Sequence, residues 1–227
     1  MVQHSPRRET SPVEGGSETR ILEVALSLFA ERGYAAASAH AIAERVGMSK
    51  ASVFHHFACK RDLYTAVMRV AGERAAHLLD ALESDRGTTV QRLERFSKAH
   101  LRSLLDDRNL VALVLRDVLD SWTEAGHTLA GEVYGTHFGR LVEILRAGQR
   151  LGQLRDDVDP NFLATLVLGV NVFFVLSQNN LRHFPDGDFA DRPEAFCDGV
   201  MKIILEGVAA RPPVCEHSGS DKHPDNP

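Results

Sequence analysis

The amino-acid sequence predicts an all-α fold. Between residues 18 and 210, apolar side chains recur at the spacing that places them on one face of a helix. A half-buried strand would alternate apolar and polar residues between turn signals, and no segment does so. Glycine or proline stands where the helical periodicity stops. With 44% hydrophobic and 25% charged residues, the 227-residue chain has a globular composition that allows one large domain or two small ones.

Charge is unevenly distributed along the chain. A net charge of −5 argues at first against a nucleic-acid partner. Residues 1–84, however, contain ten basic and ten acidic residues, whereas residues 85–227 contain 16 basic and 21 acidic ones. All of the net negative charge therefore lies in the second part, and the objection does not hold for the first.

The composition also divides the chain into four segments. Residues 1–17 are polar and predict a flexible arm, and residues 211–227, with four prolines, predict a disordered tail. Between them we expect a small helical domain over 18–66 and a larger helical domain over 67–210.

Several function classes are disfavoured by what the sequence contains. Its three cysteines, Cys59, Cys197 and Cys215, are far apart and fit a reducing cytosol better than a disulfide framework. The longest apolar run, 162–177, has 16 residues, fewer than the roughly 20 that span a bilayer. No secretory signal, phosphate-binding glycine loop, HExxH motif or nucleophile elbow is found. We therefore expect a cytoplasmic protein without enzymatic activity, cofactor, bound metal or membrane partner.

The first helix has one apolar stripe and ends at Gly33, which suits the residue after a helix. The stripe consists of Ile21, Leu22, Ala25, Leu28 and Phe29. A fourth helix begins at Lys60 and continues to about Leu82. Later helices are predicted at about 89–105, 109–123, 126–151, 159–180 and 191–209.

Two short helices between them form a helix-turn-helix pattern over Ser38–Phe57. Ser38 and Ser49 are suited to cap the two helices, and Gly47 to form the turn. Ile42 and Val46 face inward from the first of these helices, as Val53 and Phe57 do from the second. A short exposed helix held rigidly by its neighbours is what insertion into a major groove requires.

The amino-acid sequence of residues 21–67 resembles the DNA-binding domain of TetR-type bacterial transcriptional repressors. The matching motifs are Phe29–Tyr34, Ile42–Gly47 and Met48–Phe57, followed by Lys60. Beyond residue 85 the resemblance consists only of length and an all-helical plan. It implies a symmetric dimer that binds a palindromic operator and releases it when a small molecule binds.

Residue chemistry and the resemblance together give the candidate DNA contacts. Ser38, with the free N–H groups of a helix start, suits a phosphate, and His40 suits a base edge or a phosphate. Lys50 can donate to guanine, and the Ala51 methyl can contact that of thymine. Predicted backbone contacts come from Ser52, His55, His56 and Lys60. Phe54 stands where the family often has a tyrosine that donates to phosphate, and phenylalanine has no hydroxyl to make that hydrogen bond.

Other interpretations of these residues stay open. Taken alone, Lys50 and Lys60 would be ordinary surface lysines. Adjacent helical residues point about 100° apart, so His55 and His56 do not chelate a metal from one face. Cys59 at a helix start is either a redox switch or a small residue in the place of a usual cap.

The segment 162–176 is apolar on nearly every side, which favours burial against a second subunit over a place in the core of one subunit. The resemblance implies that the last two long helices form a four-helix bundle with their two-fold mates. The predicted dimer contacts are Phe162, Leu166, Val170, Phe173, Phe174, Phe196, Val200, Ile203 and Ile204, to which Val208 is added at the end of the last helix.

The resemblance further implies an effector pocket among helices four to eight. Polar residues within apolar helical runs are candidates to orient a ligand, although residues of this kind more often occupy a surface position or a satisfied core position. They are His100, Arg116, Trp122, Tyr134, His137 and Asn171. The apolar surroundings favour a hydrophobic or aromatic effector. An all-helical enzyme and an adaptor with a degenerate DNA head are the alternative functions.

Overall fold

The computed structural model describes residues 14–120 and 129–208. Within these ranges the chain forms nine α-helices, one 3-10 helix and no β-strand, so the predicted all-α fold is confirmed. The helices are α1 (Glu14–Ala36), α2 (Ala39–Val46), α3 (Lys50–His56), α4 (Lys60–Ser84), α5 (Thr89–Asp106), α6 (Arg108–Asp120), α7 (Leu129–Arg150), α8 (Pro160–Leu181) and α9 (Pro193–Val208), with the 3-10 helix Gly187–Asp191 before α9.

Helices α2 and α3 begin and end at the predicted residues. Ser38 Oγ accepts the N–H of Ala41 at 3.1 Å, and Ser49 Oγ accepts that of Ser52 at 3.0 Å. Gly47 ends α2 with a φ of 76°, a conformation that favours glycine. Gly33 interrupts α1 in the same way, with a φ of 79°, and helical structure resumes after it as far as Ala36.

Two apolar cores organise the molecule. The first, here called the head core, joins α1, α2 and α3 to the first half of α4 and to α6, through residues such as Phe29, Ile42 and Leu113. The second, the body core, joins the second half of α4 to α5, α7, α8 and α9. Helix α4 contributes to both cores, and α6, which belongs to the head core, also contacts α5 and α7 of the body. The head therefore does not stand apart from the body, and the predicted boundary at residue 66 falls inside α4.

Some predicted boundaries shift or lie outside the described residues. Helix α1 begins at Glu14, so the last four residues of the predicted arm, 14–17, are helical. Residues 1–13 lie outside the described ranges, as does the predicted tail. The predicted ends of α6 and α7 near 123 and 126 also fall in the segment 121–128, outside the description.

Helix α8 is buried within the subunit on one side only. Its buried residues, including Leu163, Val167 and Phe174, face the body core. Other apolar side chains of α8 face outward, including Phe162, which is 70% exposed, and Phe173, which is 65% exposed. In the described part of the chain, α8 is the one helix long and apolar enough to cross a membrane, and 33% of its most apolar stretch is buried.

Candidate nucleic-acid interface

The candidate site is built on α2, α3 and the turn between them. Ile42 and Val46 of α2 point into the head core, as Val53 of α3 does, which leaves the opposite faces of both helices in solvent. With eight and seven residues, these helices are too short to be stable alone, so their geometry depends on the head core. Of the predicted contact residues, Ser38, His40, Lys50, Ala51 and His55 are exposed, whereas Ser52, Phe54, His56 and Lys60 are half-buried.

Ser38 and His40 lie at the start of α2, where the first N–H groups of a helix have no intrahelical partner. The Ser38 hydroxyl satisfies the N–H of Ala41 and keeps its own hydrogen for an acceptor. A helix start also carries partial positive charge. The arrangement therefore suits a phosphate oxygen, with His40 exposed beside it.

Lys50 and Ala51 form the exposed first turn of α3. The Lys50 Nζ lies 5.6 Å from the centroid of the Phe54 ring, one turn further along the helix. The hydroxyls of Ser49 and Ser52 are 2.8 Å apart and are hydrogen-bonded to each other. This turn thus presents a cationic hydrogen-bond donor and a methyl group. In the major groove, the first suits the acceptors of guanine and the second suits the methyl group of thymine.

His55 and His56 follow at the end of α3, with ring centroids 6.0 Å apart and an edge-to-face arrangement. No group of three or more His, Cys, Asp or Glu side chains suited to a metal ion is found among the described residues. His55 is exposed and His56 is half-buried, and their predicted contacts to the DNA backbone stay predictions.

Lys60, predicted to be a backbone clamp, makes two contacts within the head. Its Nζ lies 4.4 Å from the centroid of the Tyr34 ring and donates a hydrogen bond to the Ala35 carbonyl at 3.2 Å. Burial lowers the pKa of Lys60 below its ordinary value. Sequence reasoning missed Tyr34, and the only signal for it was an aromatic residue directly after the helix-ending Gly33.

Two arginines also support the site and were not predicted. The Arg20 guanidinium donates to the Val46 carbonyl at 3.2 Å and so braces the end of α2 against α1. Arg45 forms an ion pair with Glu31 at 2.9 Å, and this contact holds the pKa of the Glu31 carboxyl below its ordinary value. Neither contact can be seen in the sequence, because each joins residues of two different helices.

Comparison with known proteins identifies the family. Residues 21–67 match the bacterial regulatory proteins of the tetR family, and residues 90–195 match the tetracyclin repressor-like C-terminal domain. The transcriptional repressor AcnR of Corynebacterium diphtheriae is 30% identical over 196 residues, which cover 85% of this chain and 92% of that protein. The chain belongs to the TetR family. It is a DNA-binding transcriptional regulator and not an enzyme, as the helix-turn-helix and the lack of catalytic motifs predicted.

Other relatives of this TetR-family regulator agree with this assignment. The repressor KstR2 of Rhodococcus jostii is 27% identical over 160 residues, which cover 68% of this chain and 76% of that protein. Two solved structures share the fold. The ketosteroid regulator KstR2 of Mycobacterium tuberculosis has a TM-score of 0.66 at 18% identity, covering 90% of this chain and all of that one. The fatty acid degradation regulator FadR of Bacillus halodurans has a TM-score of 0.63 at 18% identity, covering 86% and 97%.

The structure of this TetR-family regulator brings together two of the six predicted ligand residues. Asn171 of α8 is buried, and its Nδ2 donates to the Ser97 carbonyl at 2.9 Å and to the Ser97 hydroxyl at 3.1 Å. The same Nδ2 lies 3.3 Å from Nδ1 of His100, whose ring stacks on Phe96. Burial lowers the pKa of His100 to about 4, so its imidazole is neutral at pH 7.

The other four candidates lie elsewhere or outside the description. Arg116 packs against Gly33, where an added Cβ would lie 3.2 Å from its Nη1, so it belongs to the contact between α1 and α6. His137 of α7 contacts the backbone of Gly72 on α4, and its Nδ1 has no hydrogen-bond partner in the described part of the chain. Trp122 and the side chain of Tyr134 lie outside the described residues. The predicted set is therefore not one cluster.

A groove of about 400 Å³ opens between α4, α5 and α7, but none of the six candidates lines it. Its walls carry Glu83, Arg92 and Arg140 over an apolar floor that includes Ile144. Arg140 is already paired with Glu83 and with Asp80, both at 2.6 Å. This groove is thus a mainly apolar surface feature edged by an ion-pair network.

The predicted dimer residues fall into two groups. On the outer face of α8 and α9, Phe162, Leu166, Phe173 and Ile203 are exposed by 70%, 52%, 65% and 75%. Val170, Val200, Phe196 and Ile204 are half-buried, and Val208 is buried. Phe174 is a correction: it is fully buried in the body core, where its ring stacks on Phe196 with centroids 4.2 Å apart. In this fold it is not a surface residue.

Proposed function

We propose that this chain is a dimeric repressor that binds a palindromic operator through α2 and α3 and is released by a small apolar effector. The observation that carries the DNA-binding part is the exposed first turn of α3, with Lys50 and Ala51, beside the free helix start at Ser38 and His40. The first would read base edges and the second would bind phosphate. Further backbone contacts would come from Ser52, His55 and His56.

The dimer is supported by the outer face of α8 and α9. Four large apolar side chains there, Phe162, Leu166, Phe173 and Ile203, are at least half exposed in the subunit. Large apolar side chains exposed in this number on two helices are typical of a protein–protein contact. A two-fold axis through it would place two copies of α3 about 34–36 Å apart, the spacing of two half-sites one helical turn apart.

Residues 18–66 would form the DNA-binding domain and residues 67–210 the body. The effector is proposed to bind within the body. The solved relatives are named regulators of ketosteroid and of fatty acid degradation, which supports an apolar effector. The neutral imidazole of His100 and the amide of Asn171 would be the polar groups nearest to an apolar ligand between α5 and α8. The protein would act in the cytoplasm.

Selection from random double-stranded DNA tests the proposal. We expect a palindromic sequence to be enriched, and Lys50→Ala to relax the selection at one base pair of each half-site, at a cost of about 1–3 kcal/mol. Lys98→Ala is the matched control, because Lys98 pairs with Asp198 on the body surface at 2.6 Å. No enrichment by the unaltered chain would favour an adaptor with a degenerate DNA head.

A screen of apolar small molecules for release of the enriched DNA tests the effector part. We expect release by a compound whose affinity falls when Asn171 is replaced by Leu. If compounds that release the DNA bind equally well to this variant, the effector site lies away from α5 and α8.

A further inference from the structure

We propose that Lys60 is a positioning residue: it holds the segment between α1 and α2 in place and thereby sets where the DNA-contacting start of α2 lies. This segment, residues 33–37, is here called the α1–α2 link. The inference rests on the proposed DNA surface but concerns a contact inside the head. It assigns Lys60 a role other than that of a phosphate ligand.

Two contacts join Lys60 to neighbouring residues of the link. The ammonium lies over the face of Tyr34 at 4.4 Å and donates to the carbonyl of Ala35 at 3.2 Å. The first is a cation–π contact, and the second is a hydrogen bond from a charged donor, which is stronger than a neutral one. A lysine that served only as a phosphate ligand would have no reason to be held against the protein in this way.

The same link is held by a second residue of α4. Tyr64 lies one helical turn after Lys60, and its ring centroid is 4.8 Å from that of Tyr34. Phe29 of α1 packs against both tyrosines, with its centroid 5.1 Å from Tyr64 and 6.1 Å from Tyr34. Tyr34 is therefore held between an ammonium and two rings, although it remains 40% exposed.

The position of the link matters because α2 follows it directly. Gly33 breaks α1 with a φ of 79°, and the link then makes a single turn closed by the Ala37 N–H on the Gly33 carbonyl at 3.2 Å. Ser38, the next residue, caps α2 and carries the predicted phosphate contact. A change at Ala35 is therefore passed to Ser38 and His40 with no intervening flexible residue.

Two helices shared with the body contact the link at its two ends. Arg116 of α6 packs on Gly33, and Lys60 of α4 binds Ala35. Both helices also contribute to the head core, through Leu113 and Leu63. A shift of α4 in the body would thus reach the start of α2 through Lys60, which makes the link a junction between the two parts.

Operator binding, measured over a range of salt concentrations, separates the two roles of Lys60. The variants are Lys60→Met, Tyr34→Leu and the double variant, with Arg61→Met as a control that removes a neighbouring exposed cation. We expect Lys60→Met to weaken binding about 2- to 10-fold with an unchanged salt dependence. Tyr34→Leu should lower the affinity for the operator by a similar factor although it removes no charge. The affinity of the double variant should not fall below that of the single variant that binds less tightly.

A phosphate contact would give the opposite pattern. The slope of log affinity against log salt would fall by about 0.9 for Lys60→Met, and Tyr34→Leu would bind like the unaltered chain. Either result, or losses that multiply in the double variant, would overturn the proposal.

Hydrogen exchange in the free protein tests the link without DNA. Lys60→Met should speed exchange of the Ala37 and Ala41 amides, while exchange in α5 stays unchanged. Unchanged exchange at Ala37 and Ala41 would also overturn the inference. This measurement needs no operator. A failure of the proposed function would appear as the absence of selective DNA binding, whereas a failure of the role of Lys60 would appear as unchanged hydrogen exchange.

Discussion

Replacing Ile203 by aspartate should dissociate the proposed dimer. Ile203 lies on α9 and is 75% exposed in the subunit, the largest exposed fraction among the predicted dimer residues. Because the side chain makes little contact within its own subunit, the substitution should leave the folding of the subunit nearly unchanged. Its effect therefore reports on the contact between subunits and not on the body core.

The magnitude follows from the exposed area. Burying an isoleucine side chain completely contributes about 1.5–3 kcal/mol, so the exposed three-quarters of Ile203 accounts for about 1–2 kcal/mol in each copy. A two-fold interface contains the residue twice, which gives about 2–4 kcal/mol for the dimer. The dimer dissociation constant should then rise about 30- to 1000-fold, and the cost of burying a carboxylate adds to this.

Sedimentation equilibrium at several protein concentrations measures this constant directly. Leu151→Asp is the matched control, because Leu151 is 68% exposed directly after α7 and lines the groove between α4, α5 and α7. The reasoning is refuted if Ile203→Asp and Leu151→Asp dimerise as the unaltered chain does, or if both weaken the dimer equally.

Three further changes test the site and the body. Phe54→Tyr should restore a hydroxyl for phosphate and tighten binding about 2- to 10-fold on all DNA sequences; no gain would mean that position 54 does not face the backbone. Asn171→Leu should cost about 1–3 kcal/mol in urea unfolding, because the buried Ser97 carbonyl and hydroxyl both lose the Asn171 amide as a donor; an unchanged midpoint would contradict this. His100 keeps its imidazole neutral with a pKa of about 4, below the 6.5 regained on unfolding, so stability should fall by up to about 3 kcal/mol as the pH drops from about 6.5 to about 4. His100→Gln should flatten this dependence, and His77→Gln, at an exposed position of α4, should not.

The parts of the fold that depend on neighbouring residues in the chain were predictable. Ser38, Gly47 and Ser49 form the predicted caps, because a cap acts on backbone groups two or three positions away. The inward positions Ile42 and Val53 follow in the same way from helical periodicity. The motif string therefore located the helix-turn-helix to within a residue, while its individual DNA contacts stay predictions.

Contacts between distant residues were not predictable from the sequence. Lys60 and Tyr34 are 26 positions apart, and only the packing of α4 against α1 brings the ammonium over the ring. The placement of Phe174 was wrong for a related reason. On a helix that is apolar on all sides, periodicity does not tell which face meets the body core and which meets a partner. The predicted ligand residues do not form one cluster, because polar residues in apolar runs also pack between helices, as Arg116 does against Gly33.

The route by which an effector signal reaches the DNA is constrained by the two cores. Val67, Met68 and Leu113 connect the shared helices to the head core and are at most 2% exposed, so moving the head as a unit against α4 and α6 would open well-packed contacts. Deleting one such side chain costs about 2–5 kcal/mol, whereas allosteric coupling free energies are about 1–3 kcal/mol. The contacts of Lys60 with the α1–α2 link are half-exposed and contribute less free energy than the core contacts, about 0.5–1 kcal/mol for the cation–π contact. If the effector proposed above shifts α4 within the body, it would therefore change the position of Ser38 through the link at an energy that effector binding supplies, while the head core stays closed.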